Sequence, residues 1–114
     1  MSLPLQQWDV VRVRIHPKDR DEHPAIILSP PEVCASQADR VNVIYGSTKR
    51  PAVDVRPTQI LLDQADGCDH LTVFSCVFFP VVEKSAITTK LGSVTPARRR
   101  QLHQKLAEIL RLFQ

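Results

Sequence analysis

The spacing of apolar residues changes period once along this chain, and that change constrains the fold more than any other feature. Up to about residue 94 the apolar groups alternate, or run unbroken for a few positions, as strands do. In "WDVVRVRI", residues 8–15, Val11, Val13 and Ile15 share one side while Val10, Arg12 and Arg14 share the other. That is the pattern of a half-buried strand. "RVNVIYGS" alternates again, with Val41, Val43 and Tyr45 together. "PAIILS" and "LTVFSCVFF" are apolar on both faces and read as covered strands, the second as the strongest in the chain. "PAVDVRPTQILL" reads as one or two proline-interrupted edge strands, and "KLGSV" as a last short one. Between them, "SPPEVCASQAD" is a connector with room for one helical turn, "DQADGCDH" a turn and "PVVEKSAIT" a loop.

After Thr95 the period becomes helical. Thr95 suits an N-cap and Pro96 the first helical position. Leu102, Leu106, Ile109, Leu110 and Phe113 then form one stripe that should lie on the sheet, giving a terminal helix over about 95–113. The expected fold is mainly β with a C-terminal helix (α+β), a small and strongly twisted antiparallel sheet or partial barrel. The 114 residues are one domain's worth, so a single domain over 1–114 is expected.

Composition narrows the function classes. Apolar residues at 43% allow a core without staples, and three glycines against nine prolines imply short, stiff turns. The three cysteines are an odd number with no C-x-x-C pair, which argues against a disulfide framework and for a reducing compartment. The longest apolar run is too short to span a bilayer, and "MSLPLQQW" lacks the form of a secretory signal, so a soluble cytoplasmic protein is expected. A net charge of +3 permits an anionic partner without requiring one.

Two polar clusters stand at strand ends. "KDRDEH", Lys18 to His23, fills the loop before the "PAIILS" strand. Pro24 biases His23 to extended backbone. Arg20, Glu22 and His23 would supply a cation for a phosphate, a carboxylate and a general acid or base. "YGSTKR" sets the hydroxyls of Ser47 and Thr48 beside Lys49 and Arg50, with Gly46 giving close access to the backbone. Each cluster, taken alone, reads first as an ordinary solvated turn. "ARRRQ" places Arg98, Arg99 and Arg100 against the helix dipole, as either a binding surface or a solvated face.

Other patterns carry less. Cys68 and His70 in "CDH" lack a second ligand pair at zinc spacing. "DQADG" does not fit the EF-hand frame. Ser29 and Ser75 lack a nucleophile elbow, and Cys76 reads as core.

In order, "WDVVRVRI", "HPAIILSP", "VNVIYGST" and "KLGSVTPARRRQLHQKLAEIL" resemble the successive motifs of the MazF/PemK family of toxins from type II toxin–antitoxin pairs. The matches run from about Trp8 to Phe113. The resemblance implies an SH3-like, PemK/MazF-like fold and a homodimer. It further implies a cytoplasmic endoribonuclease, independent of metal and cofactor, that cuts single-stranded messenger RNA through its 2′-OH and is held in check by a cognate antitoxin protein. Carried over residue by residue, it assigns catalysis to His23, Arg20, Glu22 and Thr48, with Asp21 as the alternative to Glu22 for the acidic position, and RNA binding to Lys18, Ser47, Lys49 and Arg50. His23 stands where the family has arginine, and "LTVFSCVFF" is apolar, with Ser75 as its one clear polar group, where many members carry a charge. A binding module of the same fold, for nucleic acid or protein, is the competing expectation.

Overall fold

The computed structural model describes residues 4–112 except 17, 19 and 20. Seven antiparallel strands form one sheet: β1 (Asp9–Val13), β2 (His23–Ile27), β3 (Arg40–Thr48), β4 (Gln59–Leu62), β5 (Thr72–Ser75), β6 (Val81–Glu83) and β7 (Ile87–Ser93). Their order across the sheet is β4-β5-β3-β2-β1-β7, and β6 pairs with β3 beside β5. Two helices complete the fold, α1 (Pro31–Ala35) and α2 (Pro96–Ile109). The long strand β3 is the spine. Its first part pairs β6 through Val41↔Val82, its middle pairs β2 through Ile44↔Ile26, and its end pairs β5 through Ser47↔Val73.

Alternation along these strands produces two cores, one on each face of the sheet. Val11, Val13, Ala25, Ile27, Val41 and Val43 pack on one side with Cys34 and Val82. Val10, Ile26, Ile44, Ile60, Phe74 and Val94 pack on the other, where α2 adds Leu102, with Leu106 and Ile109 at its edge. The expected phase of β1 and β3 and the seating of α2 on the sheet are therefore seen. At about 25 cal/mol per Å² of buried apolar surface, this two-sided burial is the main source of stability.

Three details depart from expectation. "LTVFSCVFF" gives the four-residue β5, not the longest strand; the chain leaves the sheet at Cys76, and Phe78 is 72% exposed. The bend is required because β5 and β6 share one edge of β3, so the chain must pass from one end of that edge to the other. "PAVDVRPTQILL", by contrast, gives one strand at the sheet edge as expected, β4, since its prolines leave the ladder only the last four residues. The segment read as a loop at 80–88 instead contributes β6 and the start of β7. In α2, Leu110 stands half exposed and Ala107 is buried, because the helix ends at Ile109; Phe113 lies outside the described residues.

Thr95 takes the N-cap backbone geometry without a side-chain capping bond. The helix start is fastened from elsewhere. The Thr95 N–H donates to the buried Asp66 carboxylate at 2.9 Å, and the Arg99 Nε donates to the Val94 carbonyl at 2.7 Å. Asp66 belongs to a capping box with Asp63 that closes the 3-10 turn Gln64–Asp66, and Gly67 ends that turn at φ +91°. A side chain at Gly67 would meet the backbone of Leu91 and Gly92 at 2.7 Å, and one at Gly92 would meet the Asp66 carbonyl at 2.8 Å. The two glycines thus let the β4–β5 loop press directly on β7.

Candidate active site

Cross-strand register builds the site. Arg12 of β1 lies opposite Pro24 of β2, and Thr48 of β3 lies opposite Thr72 of β5. The β2–β3 register runs through Ala25↔Tyr45. Continued toward the start of β2, it aligns His23 with Ser47 and Glu22 with Thr48. Because alternate side chains point to opposite faces, these pairs separate. Glu22 and Thr48 line a cleft of about 230 Å³ together with Arg12, Asp69, His70 and Thr72. Cys68 and Leu91 close its wall.

Two ion pairs set the charge there. Asp69 binds the Arg12 guanidinium, and Arg14 reaches Glu22 at 3.9 Å. Glu22 is about a quarter exposed, so its carboxylate is partly desolvated yet open to a ligand. The cleft presents a cation held in place by a carboxylate, a second carboxylate, a hydroxyl and an imidazole. Burial pushes the Cys68 thiol up, the nearby Asp66 and Asp63 add to the rise, and the Thr72 hydroxyl opposes it. That thiol is therefore protonated at neutral pH and is no nucleophile.

A second groove of about 570 Å³ runs along the other side of the β3 end. Ser47, Lys49 and Arg50 line it with Gln59 and Val73, and Thr48 borders both hollows. The Lys49 N–H donates to the Leu71 carbonyl at 2.8 Å, which prolongs the β3–β5 pairing past the last strand residue and fixes the basic turn against the sheet. Gly46 serves differently from expectation. It lies inside β3, and the Phe74 ring occupies the space a Cβ would need, at 2.7 Å.

Of the eight residues singled out from sequence, Glu22 and Thr48 share the cleft, and Ser47, Lys49 and Arg50 share the basic groove with Thr48. His23 lies on the Ala25 face of β2 and lines neither hollow. Lys18 is exposed, its N–H donating to His16 Nδ1 at 3.1 Å. Arg20 lies outside the described residues. Two of the three arginines at the start of α2 prove to be anchors. Arg98 donates to the Leu61 carbonyl and, at 3.3 Å, to Asp63. Arg99 also donates to Ser93 at 3.0 Å, and Arg100 is exposed.

Two larger hollows are built otherwise. In one, of about 730 Å³, the Lys84 ammonium donates to the carbonyls of Val33, Cys34 and Ser36 and so ties α1 to the strand bend. The other, of about 610 Å³, is an open groove between Arg14, Arg40, Tyr45 and Val81. None of the eight residues singled out from sequence lines either of them. Among the described residues no group of three or more His, Cys, Asp or Glu side chains is arranged to hold a metal ion. Among them, too, no helix is long and apolar enough to cross a membrane.

The sequence model of the family described as PemK-like, MazF-like toxin of type II toxin–antitoxin systems matches residues 6–110. The chain belongs to this family. Solved structures agree on the fold. An endoribonuclease from a mycobacterial species superposes with a TM-score of 0.76 at 19% identity, over 100% of this chain and 98% of that one. The Mycobacterium tuberculosis toxin MazF-mt6 superposes at 0.74 with 16% identity, over 90% and 96% of the two chains. A MazE–MazF structure from Deinococcus radiodurans gives 0.74 at 14% identity, over 95% and 97%. No curated protein sequence matches the chain.

This member of the PemK/MazF-like family carries Arg12, Asp69 and His70 in the cleft beside Glu22 and Thr48. Reading the sequence alone missed Arg12, Asp69 and His70. A signal for the first was present: alternation puts Arg12 on the face of Val10, which is fully buried. An arginine on a buried face needs a partner, and Asp69 is that partner. For Asp69 and His70 the motif "CDH" was weighed only as a metal site, and nothing local shows that the β4–β5 loop returns to β1.

Proposed function

We propose that this toxin-family chain is a metal-independent endoribonuclease that cleaves single-stranded messenger RNA in the cytoplasm and so arrests growth. The observation that carries this reading is the meeting of Glu22, Thr48 and Arg12 in one cleft beside a groove lined by Lys49 and Arg50. Endoribonuclease is also what two of the mycobacterial structures sharing its fold are called.

In the proposed reaction, Glu22 takes the proton of a ribose 2′-OH, and that oxygen attacks the adjacent phosphorus. Arg12, held by Asp69, faces the negative charge that develops on the phosphate, and the Thr48 hydroxyl donates to the same group. Lys49 and Arg50 bind the flanking phosphates, with Ser47 as a further donor. Lys18 and Arg20 add charge from the preceding loop. His23, which lines neither hollow, has no step in this reaction. The products are a 2′,3′-cyclic phosphate and a 5′-hydroxyl, and DNA, lacking the nucleophile, is left intact. A homodimer and a cognate protein antitoxin complete the proposal. One mycobacterial relative is seen in complex with its cognate antitoxin.

The test is incubation of the purified protein with a mixture of long single-stranded transcripts in excess EDTA. Fragments bearing 5′-hydroxyl ends are expected, with the rate falling by about 10²–10⁴-fold in Glu22→Gln. Transcripts left intact across many sequences, or cleavage unchanged in a Glu22→Gln, Thr48→Ala double variant, would overturn the assignment.

A further inference from the structure

The cleft holds a group that the reading above leaves without a task, His70. Cleavage of a phosphodiester by its own 2′-OH requires two proton transfers. One proton leaves the nucleophile and another must reach the departing 5′-oxygen, which would otherwise leave as an alkoxide. Glu22 accounts for the first. The geometry points to His70 as the second, the general acid that protonates the 5′-oxygen as the O2′–P bond forms and the P–O5′ bond breaks. The inference rests on the proposed endoribonuclease activity and extends it to a residue from the β4–β5 loop.

Placement supports the role. His70 faces the same small cleft as Glu22, Thr48 and Arg12, reaching it from the β4–β5 loop while Glu22 enters from the residue before β2. The two groups thus come from different segments bordering one hollow, so base and acid need not be the same side chain. His23, the histidine singled out by its place before proline, points to the opposite face of β2. The His70 backbone is pinned. The Thr72 hydroxyl donates to its carbonyl at 2.8 Å, and the next residue's carbonyl accepts from the Lys49 N–H at 2.8 Å. Upstream, the contact between Gly67 and Gly92 seats the loop against β7. The side chain itself is exposed, free to meet a ligand.

The charged and titratable neighbours are consistent with an acid at this point. Arg12, Asp69 and Glu22 share the cleft, and Asp63 faces His70 from the adjoining shallow hollow. The Arg12 guanidinium in the cleft is already paired with Asp69. Cys68, the other titratable wall group, is raised by burial and keeps its proton at neutral pH. Among these described groups the imidazole is the side chain type that gives and regains a proton near neutrality.

The decisive experiment uses two versions of one RNA oligonucleotide containing a site the parent protein cuts. One has the ordinary bridging 5′-oxygen at that site, the other a bridging 5′-sulfur, whose departure needs no protonation. His70→Gln is expected to cut the oxygen substrate about 10²–10⁴-fold more slowly, to lose the alkaline fall of the parent's pH–rate profile, and to cut the sulfur substrate at close to the parent rate. The ratio of the two rates does not depend on how much of the variant is folded. Equal slowing on both substrates, or no slowing on either, overturns the role of His70 while leaving the endoribonuclease reading intact. Absence of cleavage by the parent protein overturns both.

Discussion

At the scale of single residues, the three cysteines are informative through what surrounds them. All are buried, and burial raises each thiol above its ordinary value, Cys76 to about 11. Lys105 opposes that shift without cancelling it. A thiol raised in the folded state binds its proton more tightly there than in the unfolded chain. Its contribution to stability is complete below pH 9 and is lost as pH climbs toward 11. For Cys76 alone the loss is about 2–3 kcal/mol. Cys34, Cys68 and the raised Tyr45 hydroxyl act in the same direction. Thermal melts between pH 8 and pH 11 should therefore show a falling melting temperature, by about 4 °C for each kcal/mol lost. Cys76→Ala should flatten that slope even while lowering the melt at pH 7 through its cavity. In the native protein at pH 8, all three thiols should resist a disulfide reagent and react together only in denaturant. Rapid labelling of any one of them under native conditions would contradict the burial described.

At the scale of elements, the junction of the β4–β5 loop with β7 positions one wall of the cleft. Asp69 and His70 follow directly from Gly67, which touches Gly92 too closely for any side chain. Gly92→Ala places a Cβ 2.8 Å from the Asp66 carbonyl, a backbone atom that cannot swing aside. A cost of about 1–3 kcal/mol is expected, read as a drop in melting temperature. Cleavage should fall further than stability does, because the loop carrying Asp69 and His70 must shift away from β1. Parent-like cleavage in a destabilised Gly92→Ala would show that the loop does not set the site. This junction also marks where the sequence stopped being legible. The phases of β1 and β3 and the seating of α2 could be read because period-two and period-3.6 patterns are local. The "KLGSV" glycine could be assigned to a family motif but not explained, since the atoms it makes room for lie 25 residues earlier in the chain, at Gly67. The length of β5 was misjudged for a similar reason. Apolar content said strand as far as Phe79, whereas the shared edge of β3 ends the pairing at Ser75.

At the scale of the whole molecule, two hollows meet at Thr48, and the proposed reaction uses one for chemistry and the other for grip. Their residues come from six strands and three loops. That is why Glu22, Thr48, Ser47, Lys49 and Arg50 could be picked out as polar groups at strand ends while their division between two faces could not. A net charge of +3 is too small to hold RNA by field alone, so retention must come from cations placed along the groove. Each phosphate neutralised on a single strand releases counterions, and the logarithm of the binding constant then falls against the logarithm of salt with a slope of about −0.7 per contact. Lys49 and Arg50 should account for two such contacts. A Lys49→Ala, Arg50→Ala variant, with binding measured on an oligonucleotide bearing a 2′-deoxy residue at the scissile position to prevent cleavage, should show a slope shallower by about 1.4. Its affinity at low salt should fall, while its loss at high salt should be small, where screening has already weakened the parent. Glu22→Gln, which changes charge in the cleft and leaves the groove alone, should weaken neither affinity nor slope. An unchanged slope in the double variant would mean that the RNA follows a different face of the sheet, and the open groove between Arg14, Arg40 and Tyr45 would then be the surface to test by the same measurement.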